Sequence, residues 1–142
     1  TAGQEQFRSL STTYYRKGDG IMIVYDSSNR ASFDNIPGWV QSVRDNAAES
    51  VLIMLVAAKC EGEPPVSVAE GKALAAEHKL MFATTSAMQG QGVIPAFKAL
   101  CEGIILASEN REQLKARARP RRAPCSPAEQ INGGDDDLIP PG

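Results

Sequence analysis

Histidine is nearly absent from this chain, occurring only at His78, and no acidic or cysteine pattern accompanies it. That excludes a histidine-rich metal site and makes His78 a helix-surface residue rather than a ligand or a base. Cysteine is scarce as well: Cys60, Cys101 and Cys125 are odd in number and widely spaced. The pattern fits reduced thiols better than a disulfide framework or a zinc site. No apolar run reaches the roughly 18 residues needed to cross a bilayer. No basic-then-apolar leader precedes the first motif, so neither a spanning nor a secreted protein is expected, and the default is an intracellular, cytoplasmic one. No internal repeat is present, and the formal net charge of -2 hides an asymmetry near the end of the chain.

What is present suits one core. The 142 residues are 42% hydrophobic and 23% charged, within the range of a single soluble domain. Three apolar runs read as strands: Gly20 to Asp26 (GIMIVYD), Val51 to Lys59 (VLIMLVAAK) and Leu80 to Ala87 (LMFATTSA). Near-continuous apolar strands of this kind are buried on both faces, as in a parallel sheet. Between the first two, Phe33, Ile36, Trp39, Val40 and Val43 are spaced for one helix face, with Pro37 tolerated in the first turn of the main helix. Ser67-Val68-Ala69-Glu70 has the form of a capping box and opens the helix AEGKALAAEHKL. Val93, Phe97, Leu100, Cys101, Ile104 and Ile105 recur at helical spacing, which predicts a terminal helix packed on the sheet. Strands alternating with helices predict an α/β architecture, a doubly wound sheet with helices on its faces.

Beyond about Asn110 the chain becomes rich in Arg, Pro, Gly and Asp and poor in large apolar residues. Such a segment cannot bury enough surface to offset its ordering entropy, and a disordered tail over 109–142 is expected, a frayed helical start being open to it. Lys115, Arg117, Arg119, Arg121 and Arg122 form a basic cluster, followed by Asp135, Asp136 and Asp137. The acidic run partly neutralises the basic one, so the tail reads as solvated, with no nucleic-acid partner expected.

In an open parallel sheet, ligands bind outside the carboxyl ends of the strands. Ala57-Ala58-Lys59-Cys60-Glu61 and Thr85-Ser86-Ala87-Met88 both fall there. TAGQEQFRSLSTTYYR, GIMIVYD, LVAAKCE, the EGKALAAEHKL helix and TSAMQGQGV resemble successive pieces of a Rab-family small GTPase of the Ras superfamily, from Thr1 to about Leu106. Five blocks in order carry the resemblance, where any one alone is weak. It implies a P-loop NTPase-type doubly wound sheet, of which this chain supplies the C-terminal three parallel strands with flanking helices and the second switch. Residues 1–108 are thereby expected to be a partial G domain.

The resemblance also implies roles. Gly3 matches the family glycine whose amide meets the γ-phosphate, and Gln4 the catalytic glutamine that orients the attacking water. The magnesium-linked Asp of the family would precede Thr1. No metal ligand is therefore expected in these residues, and no G-x-x-x-x-G-K-[ST] phosphate loop or first-switch threonine occurs in them. Lys59 should lay its stem along a nucleotide ring. Where the family reads Asn-Lys-x-Asp, this chain has Ala58-Lys59-Cys60-Glu61. Glu61 keeps the acceptor for the guanine edge on a side chain one methylene longer, and Ala58 lacks an amide that braces the pocket. The family Ser-Ala-Lys appears as Ser86-Ala87-Met88: the Ala87 amide can still meet the guanine carbonyl, and Met88 keeps an apolar stem without the charge. Each misplaced hydrogen bond to the base costs about 1–3 kcal/mol.

The resemblance implies GTP or GDP with Mg2+ as cofactor and a vesicle-trafficking switch as function, peripheral to vesicle membranes. The segment from Phe7 to Tyr15 could form part of an effector surface or simply anchor the core. The chain ends Leu-Ile-Pro-Pro-Gly and Cys125 lies far from that end, so no C-terminal prenylation motif is expected. Without a phosphate loop these 142 residues should be poor at GTP hydrolysis. The alternatives are a nucleotide-incompetent protein-interaction module and an unproductive fragment.

Overall fold

A computed structural model describes residues 13–118, with side chains through residue 114. Its centre is a parallel sheet of three strands in the order β1-β2-β3: β1 Gly20–Asp26, β2 Leu52–Ala58 and β3 Met81–Thr84. β1 and β2 pair in register over their whole length, from Gly20↔Leu52 to Asp26↔Ala58. β3 pairs with the second half of β2, from Met54↔Met81 to Ala57↔Thr84. The chain is an α/β fold with three parallel strands and flanking helices, as its P-loop NTPase-type pattern implies.

The middle strand explains the continuous apolar run in the sequence. Side chains along a strand alternate between faces. Ile53, Leu55 and Ala57 join Ile23, Tyr25, Phe33, Ile36, Val40, Val43, Val66 and Ala75 in one core, while Met54 and Val56 join Ala96 and Leu100 in a second core on the opposite face. Because helices cover both faces, neither set of alternate positions is polar.

Four helices make those layers. α1, Arg30–Asp34, is capped by Asn29, whose side chain accepts from the Ala31 amide at 3.1 Å. It buries Phe33, whose ring meets Tyr25 edge-to-face with centroids 5.0 Å apart. After Asn35, α2 covers Ile36–Asn46 with Pro37 in its first turn, where the missing amide costs no hydrogen bond. α3, Val68–Glu77, starts on the expected capping box: Ser67 Oγ accepts from Glu70 N at 3.2 Å and the Glu70 carboxylate accepts from Ser67 N at 3.0 Å. The same carboxylate bonds Arg30 at 2.5 Å, tying α3 to α1, and is held down to about 2 by Arg30 and then by Ser67.

α4, Val93–Ala118, contains the helical start allowed for the tail, and its apolar stripe differs from expectation. It runs ten residues past 108, the boundary expected for the tail. The segment ENREQLKARA is composed largely of strong helix formers, so propagation from a packed helix continues through it. Its apolar stripe is also only partly buried: Ala96 and Leu100 face the sheet and Ile104 is half-buried, but Phe97, Cys101 and Ile105 are exposed. These three follow the sheet-facing positions by one residue, a rotation of about 100°. Three strands spaced about 4.8 Å apart span about 10 Å, roughly the width of one helix, so only one stripe of α4 finds a cover.

Candidate functional site

The carboxyl ends of the three strands meet through their backbones. The Thr85 amide donates to Ala57 O at 2.8 Å and the Cys60 amide donates to Thr85 O at 3.2 Å, so the segments after β2 and β3 are held side by side. At the other side, the Ser27 amide donates to Ala58 O at 2.9 Å. Lys59, Glu61, Ser86, Ala87 and Met88 therefore share one edge of the sheet. Gly3 and Gln4 lie outside the described residues, as does the expected effector segment up to Thr12.

The segment after β2 begins with a sharp change of direction. Lys59 has φ of 59°, a left-handed conformation that a residue with a Cβ adopts at a cost of about 1–2 kcal/mol. Two contacts hold it there. Ser27 Oγ lies 2.8 Å from the carbonyl oxygens of both Ala58 and Lys59. The Lys59 ammonium reaches back to Asp26 at the end of β1, with Nζ 2.5 Å from Oδ2. Asp26 also accepts from the Ser28 amide at 2.9 Å and the Ser28 hydroxyl at 2.6 Å. The Lys59 and Ser28 hydrogen bonds hold its carboxyl down to about 2, and Asp26 in turn raises the Lys59 pKa. Lys59 and Asp26 are 61% and 26% exposed, so water screens the pair and its main effect is on geometry.

Glu61 follows two residues later and contributes to raising the Lys59 pKa, which sets it close to the ammonium. Its Oε2 is buried without a hydrogen-bond partner among the described residues. An unpaired buried acceptor is costly, and a donor brought by a ligand would satisfy it.

The segment after β3 is a tight loop. Ser86 and Gln91 exchange amide-to-carbonyl hydrogen bonds at 2.9 Å each, and the buried Ser86 Oγ accepts from the Gln89 amide at 3.2 Å. Ser86 thus shapes the loop from inside, while Ala87 and Met88 face outward, Met88 being 79% exposed. The Ala87 amide donates to no other described residue. Gly92 closes the loop at φ of 75°, and a Cβ there would sit 2.1 Å from Thr84 O, so both conformation and space require glycine.

Asp26 and Ser27 are the residues that sequence reasoning did not assign to this edge. A signal was present: an acidic residue, Asp26, ends the first apolar run as a basic one, Lys59, ends the second, and the strands pair up to Asp26↔Ala58. Only the pairing register shows that Ser27 then stands beside the carbonyls that turn.

The family model described as the Ras family matches residues 1–106. The chain belongs to the Ras family. Its relatives include the Ras-related protein Rab-13 of Bos taurus, 40% identical over 122 residues, which are 84% of this chain and 60% of the relative. The Ras-related protein Rab-10 of Caenorhabditis elegans is 36% identical over 136 residues, 94% of this chain and 67% of the relative. The GTP-binding protein ypt3 of Schizosaccharomyces pombe is 40% identical over 113 residues, 78% and 53% of the two chains. The resemblance to Rab small GTPases drawn from the five sequence blocks is thereby borne out. The chain spans about 60% of the length of the Rab-13 relatives it matches.

Ras-family proteins bind GTP or GDP with Mg2+. At the base end the chemistry of the residues fits that group: Glu61 offers an unpaired acceptor for the N–H donors of a guanine edge, and the Ala87 amide offers an uncommitted donor for its carbonyl. Among the described residues no group of three or more His, Cys, Asp and Glu could hold a metal ion, and no helix is long and apolar enough to cross a membrane.

Proposed function

We propose that residues 1–108 form the base-recognising part of a Rab-type small GTPase, a vesicle-trafficking switch acting in the cytoplasm and at vesicle membranes. The observation that carries this is the presence at one sheet edge of a buried Glu61 acceptor and an Ala87 amide, neither with a hydrogen-bond partner among the described residues. Glu61 would accept from the guanine N–H groups and the Ala87 N–H would donate to the guanine carbonyl oxygen. The Lys59 and Met88 stems would flank the base, with Ser86 holding the Ala87 loop. Gly3 and Gln4 would serve the γ-phosphate and the attacking water, as the family pattern assigns them. Bound nucleotide and Mg2+ would supply the phosphoryl chemistry.

No phosphate loop occurs in the 142 residues, so by themselves they should bind guanine nucleotide weakly and hydrolyse GTP at most very slowly. Effector proteins would engage the Phe7 to Tyr15 region, where Tyr14 is exposed. A second reading, a protein-interaction module without nucleotide, is favoured by Val24 on β1 and Phe97 on α4, both large, apolar and exposed.

Titration of the chain with a fluorescent guanosine diphosphate analogue and Mg2+ tests the choice. Weak saturable binding that tightens in Glu61→Asp supports base recognition at this edge. Sub-micromolar affinity with measurable turnover would refute the expected weakness of these residues alone. No binding by either chain favours the interaction module.

A further inference from the structure

Ser27 is a polar residue in a buried place. It is 1% exposed and stands directly after β1. All its polar atoms are committed to neighbouring backbone: the amide to Ala58 O, the hydroxyl to Ala58 O and Lys59 O, and the carbonyl to the Val66 amide at 3.2 Å. Among the described residues the hydroxyl is the only side-chain donor to either carbonyl. One proton is shared between two acceptors, and both acceptors flank the peptide that turns the chain into the left-handed conformation of Lys59.

The residue whose side chain could have braced this turn from within is Ala58, a methyl group. The family pattern has an asparagine there, whose amide braces the pocket. We propose that Ser27 is a positioning residue for base recognition, bracing the Lys59–Glu61 turn from the adjacent strand in place of the amide missing at Ala58. The proposal rests on the reading of this edge as a guanine site. Register makes the substitution possible: Asp26 pairs with Ala58, so Ser27 lies one residue beyond the ladder, level with the turn. A buried hydroxyl with short bonds to two carbonyls resists rotation of that peptide. The Lys59–Asp26 contact restrains the same turn from outside, but it is open to water and yields more easily. The direction in which Glu61 leaves β2 is thus set by a group on β1.

The test combines Ser27→Ala and the double variant Ser27→Ala/Ala58→Asn with two readouts on the full chain. In the absence of nucleotide, Ser27→Ala should speed amide hydrogen exchange at Cys60, whose amide donates to Thr85 O, on the order of 10-fold, the worth of one lost hydrogen bond, while Ile53 to Val56 keep their protection. Affinity for the fluorescent guanosine diphosphate analogue should fall by a similar factor and recover in the double variant. Should Ser27→Ala fail to fold, Ser27→Cys, near-isosteric and a weaker donor, gives the same local comparison. Uniformly faster exchange along β2, or unaltered affinity in a chain that binds nucleotide, would overturn the proposal and leave Ser27 an ordinary core serine. If neither the natural chain nor the double variant binds, recognition of guanine at this edge falls. A local change in exchange would then establish a brace with no role in base binding.

Discussion

Lys59 turns left-handed at the end of β2 and returns its ammonium to Asp26 at the end of β1, 2.5 Å from Oδ2. Two strands that pair along their whole length are therefore also clasped beyond the last rung of the ladder. The cation that the family pattern sends along a nucleotide ring is held by a carboxylate on the same sheet edge.

Acid should loosen this clasp in a defined window. Asp26 sits at about 2 against an ordinary 3.8, and Glu70 at about 2 against 4.5. A lowered folded-state pKa means stability that is complete above the unfolded value and lost as pH falls through the folded one. The thermal midpoint should be insensitive to these groups from pH 7 to 4.5 and should drop between 4.5 and 2. Asp26→Asn and Glu70→Gln should each flatten that decline when melting is followed by circular dichroism across the range.

Leu55 has no exposed surface and lies at the centre of β2. Leu55→Ala removes buried methyl groups from a site closed by helices, at a cost of about 2–5 kcal/mol. Urea unfolding should show a lower midpoint, and a loss below about 1 kcal/mol would mean that the core around Leu55 collapses to fill the space.

Gly92→Ala meets two obstacles together, the positive φ and the 2.1 Å approach to Thr84 O. The conformational part alone is about 1–2 kcal/mol, and the clash adds to it. Thermal melting should therefore show a larger loss than Gly90→Ala, where φ is also positive but nothing lies within 4 Å of the added carbon.

Ser67→Ala should remove about 1 kcal/mol by leaving the first turn of α3 uncapped. Because Glu70 also holds Arg30, the loss should spread to α1, and hydrogen exchange should quicken at Ala31 and Ser32 as well as at Glu70. An effect confined to α3 would show that the Arg30 contact carries no coupling.

The strands and the capped helix were legible because each rests on a local signal. GIMIVYD and VLIMLVAAK are too apolar for anything but a two-sided core, and Ser67 and Glu70 form their box within four residues. The candidate edge was legible in part. Lys59, Glu61, Ser86, Ala87 and Met88 could be placed from strand ends and family spacing, and the structure brings them together. The commitment of Lys59 to Asp26 and of Ser27 to two carbonyls could not be read, since both depend on the in-register pairing of segments 32 residues apart. The exposure of Phe97, Cys101 and Ile105 escaped for a different reason. Periodicity reports a helix's apolar stripe but not the width of the sheet beneath it.

The length of α4 places a distance inside the molecule. Twenty-six residues at about 1.5 Å each make a rod of about 39 Å, against about 13 Å for the four residues of β3 beneath its start. The rod begins at the candidate edge, after the Ser86 to Gln91 loop, and runs back past the opposite end of the sheet. One continuous helix thus connects the loop after β3 to a point beyond the other end of the sheet.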